Sequence, residues 1–195
     1  EPTDRTMMTD DDDNPQFLPY VRNDDTLARP WAVPGTPELE HRLGGLEKEH
    51  ETGNVSYDPA NHERMVKLRA EKVQRVTQSM PPVPVRGPRE GSLLVLGWGS
   101  TKGAIDEAVD RCRAEDTPVS AAHLRYVWPL PADLEALIAG FDRVLVPELN
   151  NGQLIRLLRN AYDAAFVPLN KIQGRPFRAE EICAAIRDAL TPVAS

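Results

Sequence analysis

The sequence lacks most of the features that would name a chemistry outright. It has 195 residues but only two cysteines, Cys112 and Cys183, with no CxxC spacing. That argues against a zinc site or the ligand set of an iron–sulfur cluster. Both thiols fall in helical patterns and read as core residues of a cytoplasmic protein in a reducing compartment. No run of about 18 apolar residues occurs, so no membrane-spanning helix is expected. The start lacks the charged-then-apolar form of a secretory signal. No basic stripe points to nucleic acid. The histidines, His41, His50, His62 and His123, show no ligand spacing, and no metal site is expected. His62 reads as a surface or capping residue, and His123 as a satisfied core histidine in a strand. No Ser-His-Asp or Cys-His set can be drawn from spacing.

What is present is unevenly distributed. The net charge is -7, and residues 1–14 carry most of it, with six acids (Glu1, Asp4 and Asp10 to Asp13) against Arg5. This segment reads as a solvated acidic linker. The first Met stands at position 7, which suggests a piece of something longer. Residues 15–57 show no periodicity, and Pro15, Pro19, Pro30, Pro34 and Pro37 forbid a long helix. Phe17, Tyr20, Leu27 and Trp31 nevertheless give this stretch more apolar surface than a free linker carries. The expectation is an ordered, extended arm packed on a neighbouring domain or subunit. Gly44-Gly45 and Gly53-Asn54 mark turns, and Glu47, Glu49 and Glu51 read as a solvated face.

Residues 58–80 predict a connecting helix, with Asp58 as N-cap and Pro59 at the first helical position. Val66, Ala70, Val73, Val76 and Met80 form one face; Lys67, Arg69, Lys72 and Arg75 take other positions. "PPVPVRGPREG" (81–91) is a stiff, Pro-rich linker. From Ser92 to the end, short apolar runs alternate with helical stripes. Strands are predicted at about 92–97, 118–125, 143–147 and 165–169. The stripes between and after them include Ile105-Ala108-Val109-Cys112, Leu134-Leu137-Ile138 after Pro131, Leu154-Leu157-Leu158-Ala161, and Ile182-Cys183-Ile186-Leu190. This alternation predicts an α/β domain over 92–195: a mostly parallel sheet with helices on both faces.

In such a sheet, ligands and partners dock beyond the carboxyl ends of the strands. Two polar loops fall there. "GWGST" offers Gly97, Gly99, Ser100 and Thr101, with either hydroxyl able to cap the next helix. "ELNNGQ" offers Glu148, Asn150, Asn151, Gly152 and Gln153, and free N–H groups at the following helix start would favour an anion. Neither loop is a GxGxxG dinucleotide fingerprint or a phosphate-binding P-loop. Each also serves as an ordinary strand-to-helix turn. Together they define an expected interface or ligand seam on one sheet edge.

"GWGSTKGAIDEAV", "HLRYVWPLP", "VLVPELNNGQL" and "GRPF" resemble, in order, the C-terminal region of the alpha subunit of 2-oxoglutarate:ferredoxin oxidoreductase. "FLPYVRNDDTLARPWAVPGTPELEHRLGG" and the residues after it, to "AEKV", resemble the segment just before that region. The resemblance covers roughly 15–190 and implies a transketolase C-terminal-like domain. Enzymes of that family decarboxylate a 2-oxoacid on thiamine diphosphate. They transfer the acyl group to coenzyme A and pass electrons through an iron–sulfur cluster to ferredoxin. The chain holds no Gly-Asp-Gly start of a magnesium–diphosphate motif and no cluster cysteines. The resemblance therefore implies that thiamine diphosphate, Mg²⁺ and the cluster reside elsewhere in the complex. The implied partners are a beta subunit carrying those groups, the remainder of the alpha subunit, and, through the complex, ferredoxin and coenzyme A. The chain alone is expected to be inactive and to serve mainly in assembly. The resemblance also implies that Arg22 and Thr26, with Arg29 in reserve, hold a substrate carboxylate, for which an Arg fork is the natural partner. The competing expectation pairs Arg22 and Arg29 with Asp24, Asp25 or a partner chain. The alternative function is a stand-alone α/β binding or regulatory module for a small anion. A fragment of a related thiamine-dependent dehydrogenase or of transketolase shares the fold but should lack "LARPWAVPGT".

Overall fold

The computed structural model describes residues 16–191; the acidic segment 1–14 lies outside them. The chain divides into two compact units, with the boundary between Ser79 and Met80.

In the first unit the Asp58 side chain accepts hydrogen bonds from the Ala60 and Asn61 amides and starts helix α1 (Pro59–Arg75). A 3-10 turn, Val76–Ser79, follows it. Part of the stretch before α1 packs within this unit, while Trp31 stays exposed. Phe17, Leu27 and Leu39 are buried, as is Met65 of α1. Polar ties fasten the stretch to the helix. Asn61 bonds the Lys48 carbonyl and the His50 amide, and Arg75 reaches the Asp25 carbonyl at 2.8 Å. Short-range turns therefore compensate for the helix that the prolines forbid. The apolar face expected of α1 is only partly buried: Met65 is buried, Val73 and Val76 lie on its side of the helix but remain open, and Val66 is exposed. Periodicity identified a face without saying how much of it meets the rest of the unit.

The second unit is built on a five-stranded sheet in the order β1-β3-β2-β4-β5. The strands are β1 (Val85–Arg86), β2 (Gly91–Trp98), β3 (Val119–Leu124), β4 (Phe141–Glu148) and β5 (Phe166–Asn170). β2 to β5 pair in parallel, as the alternation predicts. The segment 81–91 is more than a linker: Val85 and Arg86 pair antiparallel with Ala122 and Ala121 as an edge strand. A short edge tolerates the surrounding prolines because its outer side needs no ladder.

Helices α2 (Lys102–Ala114), α3 (Leu134–Ala139), α4 (Gln153–Ala161) and α5 (Ala179–Leu190) cover the sheet. Strand alternation sorts them into two cores. Leu94, Leu96, Val144 and Val146 face α3 and α4, while Leu93, Val95 and Leu145 face α2 and α5. Each fully buried Leu, Ile or Val contributes about 1.5–3 kcal/mol. Helix α3 begins at Leu134, three residues later than its Pro131 signal. The Asp133 carboxylate instead accepts from the Val83 amide at 3.0 Å and from Arg89 at 3.2 Å. Cys112 and Cys183 are buried in the α2–α5 core, and burial together with Cys183 pushes the Cys112 thiol up to about 11.

Gly97, near the end of β2, shows how tightly this core closes. A Cβ there would lie 2.2 Å from Ile105 Cδ1 and 2.8 Å from Thr101 Oγ1. Ile105 is packed and Thr101 is pinned by hydrogen bonds, so neither can retreat freely. Gly97→Ala is expected to destabilise the protein by about 1–3 kcal/mol through overpacking. Chemical denaturation checks this, and an unchanged midpoint would contradict it.

Candidate functional site

The two polar loops meet at one end of the sheet, because β2 and β4 are parallel neighbours. Trp98, Gly99, Ser100 and Thr101 line a cleft of about 210 Å³ with Leu149 and Asn150. Its Glu148 and Asn150 side chains satisfy neighbouring backbone, as in an ordinary strand-to-helix turn, and are not turned to an outside anion. The Glu148 side chain is fully buried. It accepts from the Leu154 amide at 2.7 Å and the Ile155 amide at 3.1 Å, both at the start of α4. The Trp98 indole N–H approaches the same carboxylate at 3.4 Å. The helix N-terminus thus holds the chain's own anion, and those N–H groups are not free for a ligand. Asn150 Oδ1 accepts from the Gln153 amide at 2.9 Å, and Gly152 turns the chain at φ 77°. Asn151 is exposed, whereas Gly152 is buried. Neither hydroxyl of GWGST caps α2. Thr101 Oγ1 turns back to accept from the Trp98 amide and donate to its carbonyl, while Ser100 stays exposed.

Glu148→Gln should cost about 1–3 kcal/mol, because the two N–H groups use two oxygens, an amide has one, and its NH₂ would face a donor. Hydrogen exchange at Leu154 and Ile155 should accelerate beyond the global change. Unchanged exchange would refute the capping role.

The larger concavity lies in the first unit, a cavity of about 710 Å³. Five cationic side chains line it, Arg22, Arg29, Lys48, Arg69 and Lys72, against the single carboxylate of Glu47. Arg22 donates to the Leu27 carbonyl at 2.9 Å, across a turn in which Leu27 adopts φ 54°. Its Nε is buried with no hydrogen-bond partner. Burial, then the like charges of Arg29 and Arg69, pushes the Arg22 guanidinium below its ordinary pKa. The Arg29 guanidinium lies 4.2 Å from the centre of the Tyr20 ring. Lys48 is buried, with its ammonium bonded to the Gly44 carbonyl at 2.9 Å.

Glu47 faces the cavity from the opposite sign. It pairs with Arg69 at 3.0 Å and with His62 Nδ1 at 2.7 Å. It is therefore not part of a solvated face, as the Glu47-Glu49-Glu51 spacing suggested. These sequence-distant partners bring it to α1. The Arg69 hydrogen bond first, then that of His62, holds its carboxyl down at about 2.

The structure brings Arg22 and Arg29 together in this cavity. Thr26 instead lines a separate concavity, with its hydroxyl bonded to Asn23 Oδ1 at 3.0 Å. Arg22 and Arg29 make no ion pair with Asp24 or Asp25. Sequence reasoning missed Arg69 and Lys72 as cavity residues. Their i, i+3 spacing on one face of α1 was the available signal.

Glu47 yields a pH prediction. A carboxyl lowered on folding stabilises fully above its unfolded value near 4.5, and that stability is lost as pH falls towards 2. NMR titration of the Glu47 side chain should give a midpoint near 2. A midpoint above 4 would mean that the Arg69 pairing is absent in solution.

Comparison with known proteins gives the class. Residues 92–182 match the family model for pyruvate:ferredoxin oxidoreductase core domain II. That match lies within the α/β unit; the broader matches reach beyond it. The chain is 45% identical over 175 residues, 89% of its length, to 2-oxoglutarate oxidoreductase subunit KorA of Mycobacterium tuberculosis. It is 32% identical over 157 residues, 76% of its length, to the alpha subunit of 2-oxoacid:ferredoxin oxidoreductase 2 from Aeropyrum pernix. A solved 2-oxoglutarate:ferredoxin oxidoreductase from Magnetococcus marinus, with 2-oxoglutarate, coenzyme A and succinyl-CoA bound, superposes with a TM-score of 0.80. That match has 35% identity and covers 88% of this chain and 30% of the solved one. Over this span the chain resembles a fragment of a 2-oxoacid:ferredoxin oxidoreductase alpha subunit. It spans about a quarter of the two curated relatives, 26% and 24%.

Proposed function

We propose that the chain is the C-terminal part of the alpha subunit of a thiamine diphosphate-dependent 2-oxoglutarate:ferredoxin oxidoreductase. The overall reaction converts a 2-oxoacid, coenzyme A and oxidised ferredoxin into acyl-CoA, CO₂ and reduced ferredoxin. The observation that carries this reading is the 45% identity to a 2-oxoglutarate oxidoreductase subunit over 175 residues, which include both units. In this reading the α/β unit mainly organises subunit assembly, and the first unit contributes to 2-oxoacid binding.

The described residues do not fit the metal groups of the reaction. They contain no group of three or more His, Cys, Asp or Glu able to hold a metal ion. In this reading a beta subunit and the rest of the alpha subunit carry thiamine diphosphate, Mg²⁺ and the iron–sulfur cluster. No helix among the described residues is long and apolar enough to cross a membrane. The buried free thiols suit a cytoplasmic enzyme.

On this chain, Arg22 is the grip for a substrate carboxylate. Its half-buried guanidinium has an Nε with no hydrogen-bond partner, and a carboxylate offers acceptors with the complementary charge. Arg29 adds positive charge from the same cavity. Thr26 assists only if its hydroxyl leaves Asn23.

The experiment is affinity capture of the chain from its native source. It should recover an iron-containing assembly that reduces ferredoxin with 2-oxoglutarate; a colourless, unpartnered chain would overturn the proposal. Within that assembly, Arg22→Lys keeps the charge but loses the fork. The 2-oxoglutarate concentration for half-rate should rise roughly ten- to a hundredfold. Pyruvate turnover should change far less, since pyruvate has no distal carboxylate. Equal effects on both would remove Arg22 from carboxylate recognition.

A further inference from the structure

Besides the cleft between its polar loops, the α/β unit carries a concavity of about 300 Å³. It lies at the β1–β3 end of the sheet, two strands away from β4 and its buried Glu148. Its origin is in the sequence. Val85 and Arg86 pair with Ala122 and Ala121. Continued backwards, that register sets Pro84 opposite His123 and Pro82 opposite Arg125. A proline has no N–H to donate, so the ladder stops at Val85, and the slot begins where it stops. The proline side is rigid before anything binds, because each ring fixes its own φ. Between the rings Val83 is buried, with its amide held by the Asp133 carboxylate and its carbonyl accepting from Arg89 at 3.2 Å. A preformed wall of this kind loses little entropy when a ligand arrives.

The strand side supplies the charge. Arg125 is exposed and makes no ion pair or hydrogen bond among the described residues. Tyr126 beside it presents a ring that is 38% exposed. His123 adds no second cation. Its Nε2 donates to the Gly99 carbonyl at 3.1 Å, and burial pushes its pKa below the ordinary value, so the ring stays neutral at physiological pH. The slot therefore offers one free guanidinium among proline and tyrosine walls. One cation selects a ligand with one negative charge, and flat apolar walls select a flat apolar body. A guanidinium fork matches the two oxygens of a carboxylate. The volume stands at the small end of ligand pockets and gives room for one ring on a short chain.

We propose that this slot is a binding site for an aromatic monocarboxylate, with Arg125 holding the carboxylate and Tyr126 and the proline segment 81–84 enclosing the ring. No covalent step is involved. The Arg22 cavity of the first unit plays no part, so the site stands or falls independently of the 2-oxoacid reading. A ligand with a second negative charge, such as a phosphate monoester, finds no second free cation here.

The test is titration of the 195-residue chain with 3-phenylpropionate, followed by calorimetry and by amide chemical shifts. Acetate, which lacks the ring, and 3-phenylpropanol, which lacks the charge, are the comparison probes. 3-Phenylpropionate should bind saturably, and each comparison probe should bind at least about tenfold more weakly. The amides of Val83 and Tyr126 should shift on binding, while those of Arg22 and Lys72 should not. Arg125→Gln should weaken binding about tenfold, and Tyr126→Ala should weaken it in the same direction. Both side chains are exposed, so neither change threatens the fold. Arg175→Gln removes an exposed cation elsewhere in the same unit and should change nothing. The proposal is overturned if 3-phenylpropionate does not saturate, or if acetate or 3-phenylpropanol binds as tightly. It is also overturned if a folded Arg125→Gln chain keeps full affinity, or if the shifts fall in the first unit instead.

Discussion

The α/β unit depends on one buried carboxylate. Glu148 ends β4, and its oxygens hold the Leu154 and Ile155 amides at the start of α4. A charge placed there without partners would cost several kcal/mol. Two backbone donors, the helix dipole and the Trp98 indole offset that cost. The arrangement fixes where β4 stops and where α4 begins. It also ties the β2–α2 loop to the β4–α4 loop, since Trp98 belongs to the former. The Glu148 carbonyl accepts from the Lys171 amide at 2.9 Å, which brings the end of β5 into the same corner. Three strand ends are thus organised around a single residue, through its side chain and its carbonyl.

The same carboxylate explains why that corner is a poor anion site despite its polar residues. A helix N-terminus attracts negative charge, and here the chain supplies it internally. What remains outside is a small cleft edged by Ser100, Leu149 and Asn150, with Trp128 and Ile172 exposed in loops that follow β3 and β5. Such a corner suits the proposed assembly role better than the capture of a charged ligand.

The first unit poses the opposite electrostatic problem. It has cations in excess around a concavity and a single acid to balance them. Lys48 shows how the fold handles one of these charges, by turning its ammonium onto loop carbonyls. Arg29 handles another by lying over Tyr20. Arg22 has only the Leu27 carbonyl, and its remaining donor lies buried. In this site Lys48, Arg29 and Arg69 have partners, whereas the Arg22 Nε and Lys72 have none among the described residues. The unsatisfied groups are where a ligand gains most.

The sequence by itself determined the α/β unit. Its four parallel strands and their helices follow from apolar runs and helical stripes that each lie within about a dozen residues, where side-chain period alone decides which face is buried. It also determined the Asp58 cap, because a cap is an interaction within three residues. The family resemblance was legible in ordered motifs such as "VLVPELNNGQL". Tertiary structure decided the rest, and for a common reason: the deciding partners lie far apart in the chain. Val85 and Arg86 become a strand only because Ala121 and Ala122 are beside them. Asp133 delays α3 because Val83 and Arg89 claim its carboxylate. Glu47 joins a cavity rather than a solvated face because Arg69 stands 22 residues away on α1. Local spacing carries no information about which distant charge will arrive, so the cavity and its balance of charge became visible only once the chain had folded.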